Sequence, residues 1–344
     1  MAASPFDDVA FPALTDLPFR AGDPPCAIWG FYESLIEPKS EAQTTVKDEL
    51  GALNLLTPAR ILRASREEIQ LGRVVSLNWP LQKPSPPRYN RREFEHKVYR
   101  WPGRHVIDDE IIMNTQSGSQ WDSFRHYGHY QTGQFYNGLK ESEIVDAQGQ
   151  SIPLSVDKPL RNGIHTFQGK IVGRGVLLDY FSFSQARGVT YAAIKQHLIT
   201  AADLDACAQA QGVTFRQGDI LFVRMGYIHW YENATPEERV EATSEPIEAV
   251  GVQQAQDEIE WLWNHHFAAV ACDAPAFEAR PSIQKQNLHD YLLALWGTPI
   301  GELFDLEALA KTCKELGRYS FFVTSSPLNV VNGIASPPNA MAIF

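Results

Sequence analysis

Apolar residues along the chain alternate between two spacings, and the changes mark candidate elements. In "TPARILRASREEIQLGR" they recur at helical spacing, with Thr57 placed to cap the first turn, Pro58 at the first helical position and Gly72 ending the run. A strand follows at once in "RVVSLNWPL". Residues 169–182, "GKIVGRGVLLDYFS", carry Ile171, Val172, Val176, Leu177 and Leu178 in short runs broken by glycine, the pattern of a buried strand. "ITAADLDACAQAQG" predicts a helix capped by Thr200, with Asp203 at its third position and Gly212 at its end. "VTFRQGDILFVRMGY" predicts two strands about the turn Gln217–Gly218–Asp219, and the chain then predicts a helix feeding the buried strand "AAVACDAP". A further helix in "NLHDYLLALWGT" precedes "GELFDLEALA", and "YSFFVTSSPLNV" reads as the final strand. Helices and strands alternate without a repeat, so the class is α/β, with mixed α+β as its variant. Spacing does not give the strand order.

Two stretches lack a period. Residues 1–45 are rich in proline, aspartate and aromatics, and Trp29, Phe31 and Tyr32 argue for an arm wrapped on a single body, 46–344, rather than a free tail. Residues 82–106 form a polar, proline-containing segment with a basic excess, read as a solvated insertion with a lid as the alternative.

With 344 residues and 44% hydrophobic composition the chain can bury one large core. A formal charge of −11 argues against a nucleic-acid surface or an anionic membrane face and leaves a small molecule as the expected partner. Cys26, Cys207, Cys272 and Cys313 are scattered, which fits neither a disulfide framework nor a zinc ribbon. Without a basic leader or a stretch approaching the ~20 apolar residues of a membrane span, a cytoplasmic location is expected.

The densest set of reactive groups lies in "NTQSGSQWDSFRHYGHY", residues 114–130. Asp122, His126 and His129 are spaced by four and three, which would align them on one face of a helix, and such a set can bind a metal or form an acid–base pair. Gly and Ser residues argue for a loop instead, so a hydrogen-bonded structural loop is the competing reading. His129 could act as a ligand, as a second acid–base group or only in packing. Arg125 could meet an anionic group or make a local ion pair, and Trp121, Tyr127 and Tyr136 could line a pocket or belong to the core. His265 and His266 close a helix, where a cation favours the dipole. The chain has no GxGxxG, GxSxG or HExxH motif.

Laid on "QSGSQWDSFRH", the cyclase-family motif HxGTHxDxPxH matches at Gly118, Asp122 and His126; Ser119 stands for Thr, Phe124 for Pro, and Gln116 and Gln120 for the first two histidines. "LGRVVSLNWPL", "GRGVLLD", "CDAPAFEA" and "LHDYLLALWGTPIGELFDLEALA" resemble further segments of that family in the right order, over roughly residues 50–335. The chain thus resembles the family of bacterial-type kynurenine formamidases and isatin hydrolases. The resemblance implies a small-molecule hydrolase and a homodimer, with Asp122 as a metal or acid–base carboxylate, His126 as general base, and His289 with Glu302 as a ligand pair.

The two glutamines change that expectation. A neutral amide oxygen is a far weaker zinc ligand than imidazole, so the first metal position of the family does not carry over. Asp122, His289 and Glu302 could hold one Zn²⁺ or Mn²⁺; alternatively no metal binds, and Gln116 and Gln120 steady a substrate carbonyl while His126 moves a proton. Hydrolysis of an amide, lactam, lactone or formamide is the leading reading. Metal-independent cyclisation, dehydration or isomerisation, and a non-catalytic ligand-binding relative, are the alternatives.

Overall fold

The computed structural model describes residues 4–36, 47–152, 161–243, 246–282 and 287–344; the end of the expected arm and residues 244–245 lie outside them. Among the described residues, nine strands form one mixed sheet. In chain order they are β1 (Val74–Ser76), β2 (Gln120–Asp122), β3 (Ile171–Leu178), β4 (Ile220–Val223), β5 (Ala269–Cys272), β6 (Ile300–Glu302), β7 (Ser320–Ser325), β8 (Ala335–Ser336) and β9 (Ala340–Ile343). Their spatial order is β1-β9-β7-β3-β4-β5-β6-β2-β8. The central β3-β4-β5-β6 run is parallel, and every pairing outside it is antiparallel. Parallel strands covered on both faces need continuous apolar runs, and every residue of β4, β5 and β6 is buried.

The four helices of ten or more residues among the described residues are α1 (Pro58–Glu68), α2 (Ala201–Gln211), α3 (Gln256–His265) and α4 (Glu307–Leu316). Thr57 caps α1, and Thr200 and Asp203 form a reciprocal capping box at α2. α1 packs on β3 and β7, and α2 packs on β3 and α3.

The structure differs from the sequence pattern in four places. α1 stops at Glu68, short of Gly72, because the chain is already extended at Ile69 and the Leu71 amide is taken by Phe344 O. Residues 213–223 give one strand instead of two: the Asp219 carboxylate accepts from Arg216 N at 2.8 Å and Arg174 Nη1 at 2.6 Å, fixing the Gly-Asp turn as an anchor for β4. β7 is not the last strand, since β8 and β9 follow and are too short to show a period. The helix expected in "NLHDYLLALWGT" is a π-helical segment, Asp290–Leu295.

Residues 82–106 divide between two environments. Tyr89 and Arg91 lie at a cleft, whereas Glu95–Arg100 pairs with Ile107–Ile112 as an exposed hairpin. Further along the chain lie the short helices Tyr227–Asn233 and Pro236–Glu241.

The arm packs on the body through its aromatic residues. Trp29 and Tyr32 are buried, Trp29 Nε1 donates to Ala294 O at 2.8 Å, and Trp263 Nε1 donates to Pro12 O at 3.1 Å. Phe11 stacks on His266 with ring centroids 4.0 Å apart. Burial pushes the His266 pKa down to about 4, so this ring acts as a neutral aromatic surface rather than as the helix-end cation expected. No helix of the described residues is long and apolar enough to cross a membrane.

Candidate active site

β2 and β6 bring the central groups together. Their antiparallel register sets Glu302 opposite Gln120 and Gly301 opposite Trp121. Side chains alternate along a strand, so Gln120 and Asp122 share one face and Trp121 points to the other. There Trp121 Nε1 donates to Ser325 Oγ at 2.9 Å and its ring meets Phe304 edge-on, which makes it a core residue.

The two glutamines are donors to the site's carboxylates. Gln116 Nε2 donates to Asp122 Oδ1 at 2.7 Å, and Gln120 Nε2 donates to Glu302 Oε2 and Gln116 Oε1, each at 2.9 Å. The amide nitrogen of each glutamine, not its oxygen, faces a carboxyl group. Asp122 Oδ2, Glu302 Oε1 and Gln120 Oε1 are buried acceptors left without a hydrogen-bond donor. Burial first, and the charge of Glu302 second, raise the Asp122 pKa to about 8.

His126 sits in the turn just after β2, not on a helix face, and its Nε2 lies 4.0 Å from Asp122 Oδ2. Burial, then His289 and Arg91, lower its pKa to about 3, which keeps the ring neutral. His289 stands at the head of the π-helical segment. Its Nδ1 meets Glu278 Oε2 at 2.7 Å, and its Nε2 lies 3.3 Å from Glu302 Oε1 at an ion-pair distance. Burial opposes its charge, but Glu278 and Glu302 outweigh burial and raise its pKa to about 10.

Asp122, His126 and His289 each offer a ligand atom, and these atoms all lie within 4.8 Å of one another. Glu302 reaches this trio through His289. The donor set fits one divalent cation, because Asp122 Oδ2 has no hydrogen-bond donor, Glu302 Oε1 meets only His289 at ion-pair distance, and Glu278 orients His289 as an outer carboxylate orients a metal-binding imidazole. No second group of three such side chains occurs among the described residues.

His126, His289, Glu302, Tyr89, Arg91, Tyr127 and Arg280 line a cleft of about 450 Å³. Of the other residues singled out in the sequence, Tyr127 faces His289 with ring centroids 5.2 Å apart. His129 bonds Thr132 Oγ1 at 3.0 Å and Arg125 donates to Arg161 O, while Tyr136 bonds Asp48 at 2.9 Å; none of these lines the cleft. Sequence reading missed Glu278, Arg91, Tyr89 and Arg280. Glu278 closes the "CDAPAFEA" segment already noted, but the arginines carry no local signal.

The Cyclase family model matches residues 75–279. A cyclase of known crystal structure is 30% identical over 86% of this chain and 96% of its own, with a TM-score of 0.74. Isatin hydrolase A from Ralstonia solanacearum is 17% identical over 88% of this chain and 99% of its own, with a TM-score of 0.56. Isatin hydrolase A from Labrenzia aggregata, solved with benzyl benzoate, is 15% identical over 78% of this chain and 93% of its own, with a TM-score of 0.52. No curated protein matches. The chain belongs to the Cyclase family, and its mixed sheet flanked by helices is that family's fold.

Proposed function

We propose that this protein hydrolyses a C–N or C–O bond next to a carbonyl in a small amide, lactam, lactone or formamide, with His126 as general base. The supporting observation is the placement of His126: a neutral imidazole at the cleft, with the unpaired Asp122 Oδ2 behind it at 4.0 Å. His126 takes the proton of the attacking water, and Asp122, 4.0 Å away and with its pKa raised to about 8, balances the ring's charge once it ionises in the alkaline range. Glu278 holds His289 in one orientation, with its Nε2 toward Glu302 and the cleft. A divalent ion, held by Asp122, His289 and Glu302, would polarise the carbonyl and acidify a bound water.

A second reading rests on the glutamines. Each carboxylate already accepts from an amide, and His289 is clamped between Glu278 and Glu302. In that state both N–H groups of His289 are engaged, so the imidazolium acts on a developing oxyanion through its charge at the cleft, and the chemistry proceeds without an ion. Metal analysis of purified protein, followed by turnover before and after chelation, separates the two: about one ion per chain and loss of turnover support the ion-dependent form. Against a panel of formamides, lactams and lactones, His126→Ala is expected to lower turnover by ~10²–10⁴-fold. Unchanged turnover removes His126 from the mechanism.

A further inference from the structure

The cleft carries two guanidinium groups that the proposed hydrolysis does not use. Arg91 donates to the backbone oxygen of Gln116, and its guanidinium lies over the Tyr89 ring at 4.9 Å. Among the described residues Arg91 has no carboxylate at ion-pair distance, although it faces the same cleft as His126. Arg280 enters from the segment after β5. Its Nη2 meets Glu278 Oε1 at 3.0 Å, while its Nε is buried without an acceptor. The lining of the same cleft also includes the aromatic and apolar residues Tyr89, Tyr127, Pro275 and Ala276.

Arg91 thus keeps a guanidinium at the cleft with no carboxylate among the described residues paired directly to it, in a chain whose formal charge is −11. A guanidinium matches a planar carboxylate in bidentate geometry, and stacking on Tyr89 fixes the plane of the Arg91 fork before a ligand arrives. Glu278 already engages one nitrogen of Arg280, so Arg91 is the stronger anchor and Arg280 an auxiliary one. The cleft volume is within the usual range for sites that enclose a small organic molecule.

We infer that the substrate is an anion: an aromatic or heteroaromatic carboxylate whose carboxylate is held by Arg91, with Arg280 in support, and whose ring lies between Tyr89 and Tyr127. This deepens the hydrolase reading by naming its substrate class. It also assigns Arg91 as a binding residue that acts before any bond is broken. The reacting carbonyl then lies deeper, toward His126 and His289.

Binding, rather than turnover, tests the inference, so that its failure and that of the hydrolase reading are distinguishable. Calorimetric titration with benzoate and with benzamide, two planar probes of similar size, is run on chelator-treated wild-type, Arg91→Gln and His126→Ala protein. The expected result is benzoate binding about 10-fold or more tighter than benzamide in wild type, as charge-assisted hydrogen bonds require. That preference is lost in Arg91→Gln and kept in His126→Ala, even if His126→Ala turns over substrate normally and the hydrolase reading fails. Equal affinity of wild type for the two probes overturns the inference, as does an undiminished benzoate preference in Arg91→Gln. Should Arg91→Gln fold poorly, the wild-type comparison and its weakening with added salt still decide the matter.

Discussion

Gln116 and Gln120 donate to the carboxyl groups of the candidate site. Where the family motif has imidazoles, this chain places amides whose nitrogens donate to Asp122 and Glu302. Gln120→Leu leaves Glu302 Oε2 buried without that donor, and the expected cost is about 1–3 kcal/mol. A urea midpoint shifted down at constant slope would report it; an unmoved midpoint would mean that Glu302 finds another donor. At this scale the sequence was informative where the resemblance supplied a motif position, and Asp122, His126, His289 and Glu302 do lie together. It was poor where a residue was chosen for its type alone. Trp121 faces away because strands alternate, and Arg125 is taken up by a backbone oxygen. Arg91 was hidden because nothing in a proline-rich loop indicates which arginine turns inward.

Among the elements, β3, β4 and β5 were readable because parallel strands leave runs of four to eight largely apolar residues. β2 and β8 were not, being three and two residues long, although β2 carries the site. The orientation of His289 depends on a close approach between segments: a Cβ on Gly251 would lie 2.2 Å from Glu278 C and 2.3 Å from Ala279 N. Backbone cannot yield as a side-chain tip can. Gly251→Ala is therefore expected to cost about 1–3 kcal/mol or more and to displace Glu278 from His289. Thermal denaturation and the ring signals of His289 by NMR would check both effects; unchanged His289 signals would show that Glu278 is positioned by other contacts.

For the whole molecule, the packing of the arm on the body ties stability to pH. His266 has a folded pKa lowered to about 4 from an ordinary value of 6.5, so its contribution is fully present above pH 6.5 and is lost as pH falls through about 4. Its partial exposure discounts the size to about 1–2 kcal/mol. Asn tolerates the positive φ of 47° at this position and does not titrate. His266→Asn should therefore flatten the stability profile between pH 6.5 and 4 relative to wild type, read from denaturant midpoints; parallel profiles would count against the assignment. Exchange of Trp263 and Trp29 signals would show whether the arm loosens first.

The hairpin Glu95–Arg100 and Ile107–Ile112 buries none of its residues, and a side chain at Gly103 in its connecting turn would meet no atom within 4 Å. Such a turn is an attachment point: a short epitope spliced beside Gly103 would anchor the protein to a sensor surface without touching the sheet. Immobilised through it, the protein would still present its cleft to freely diffusing ligands.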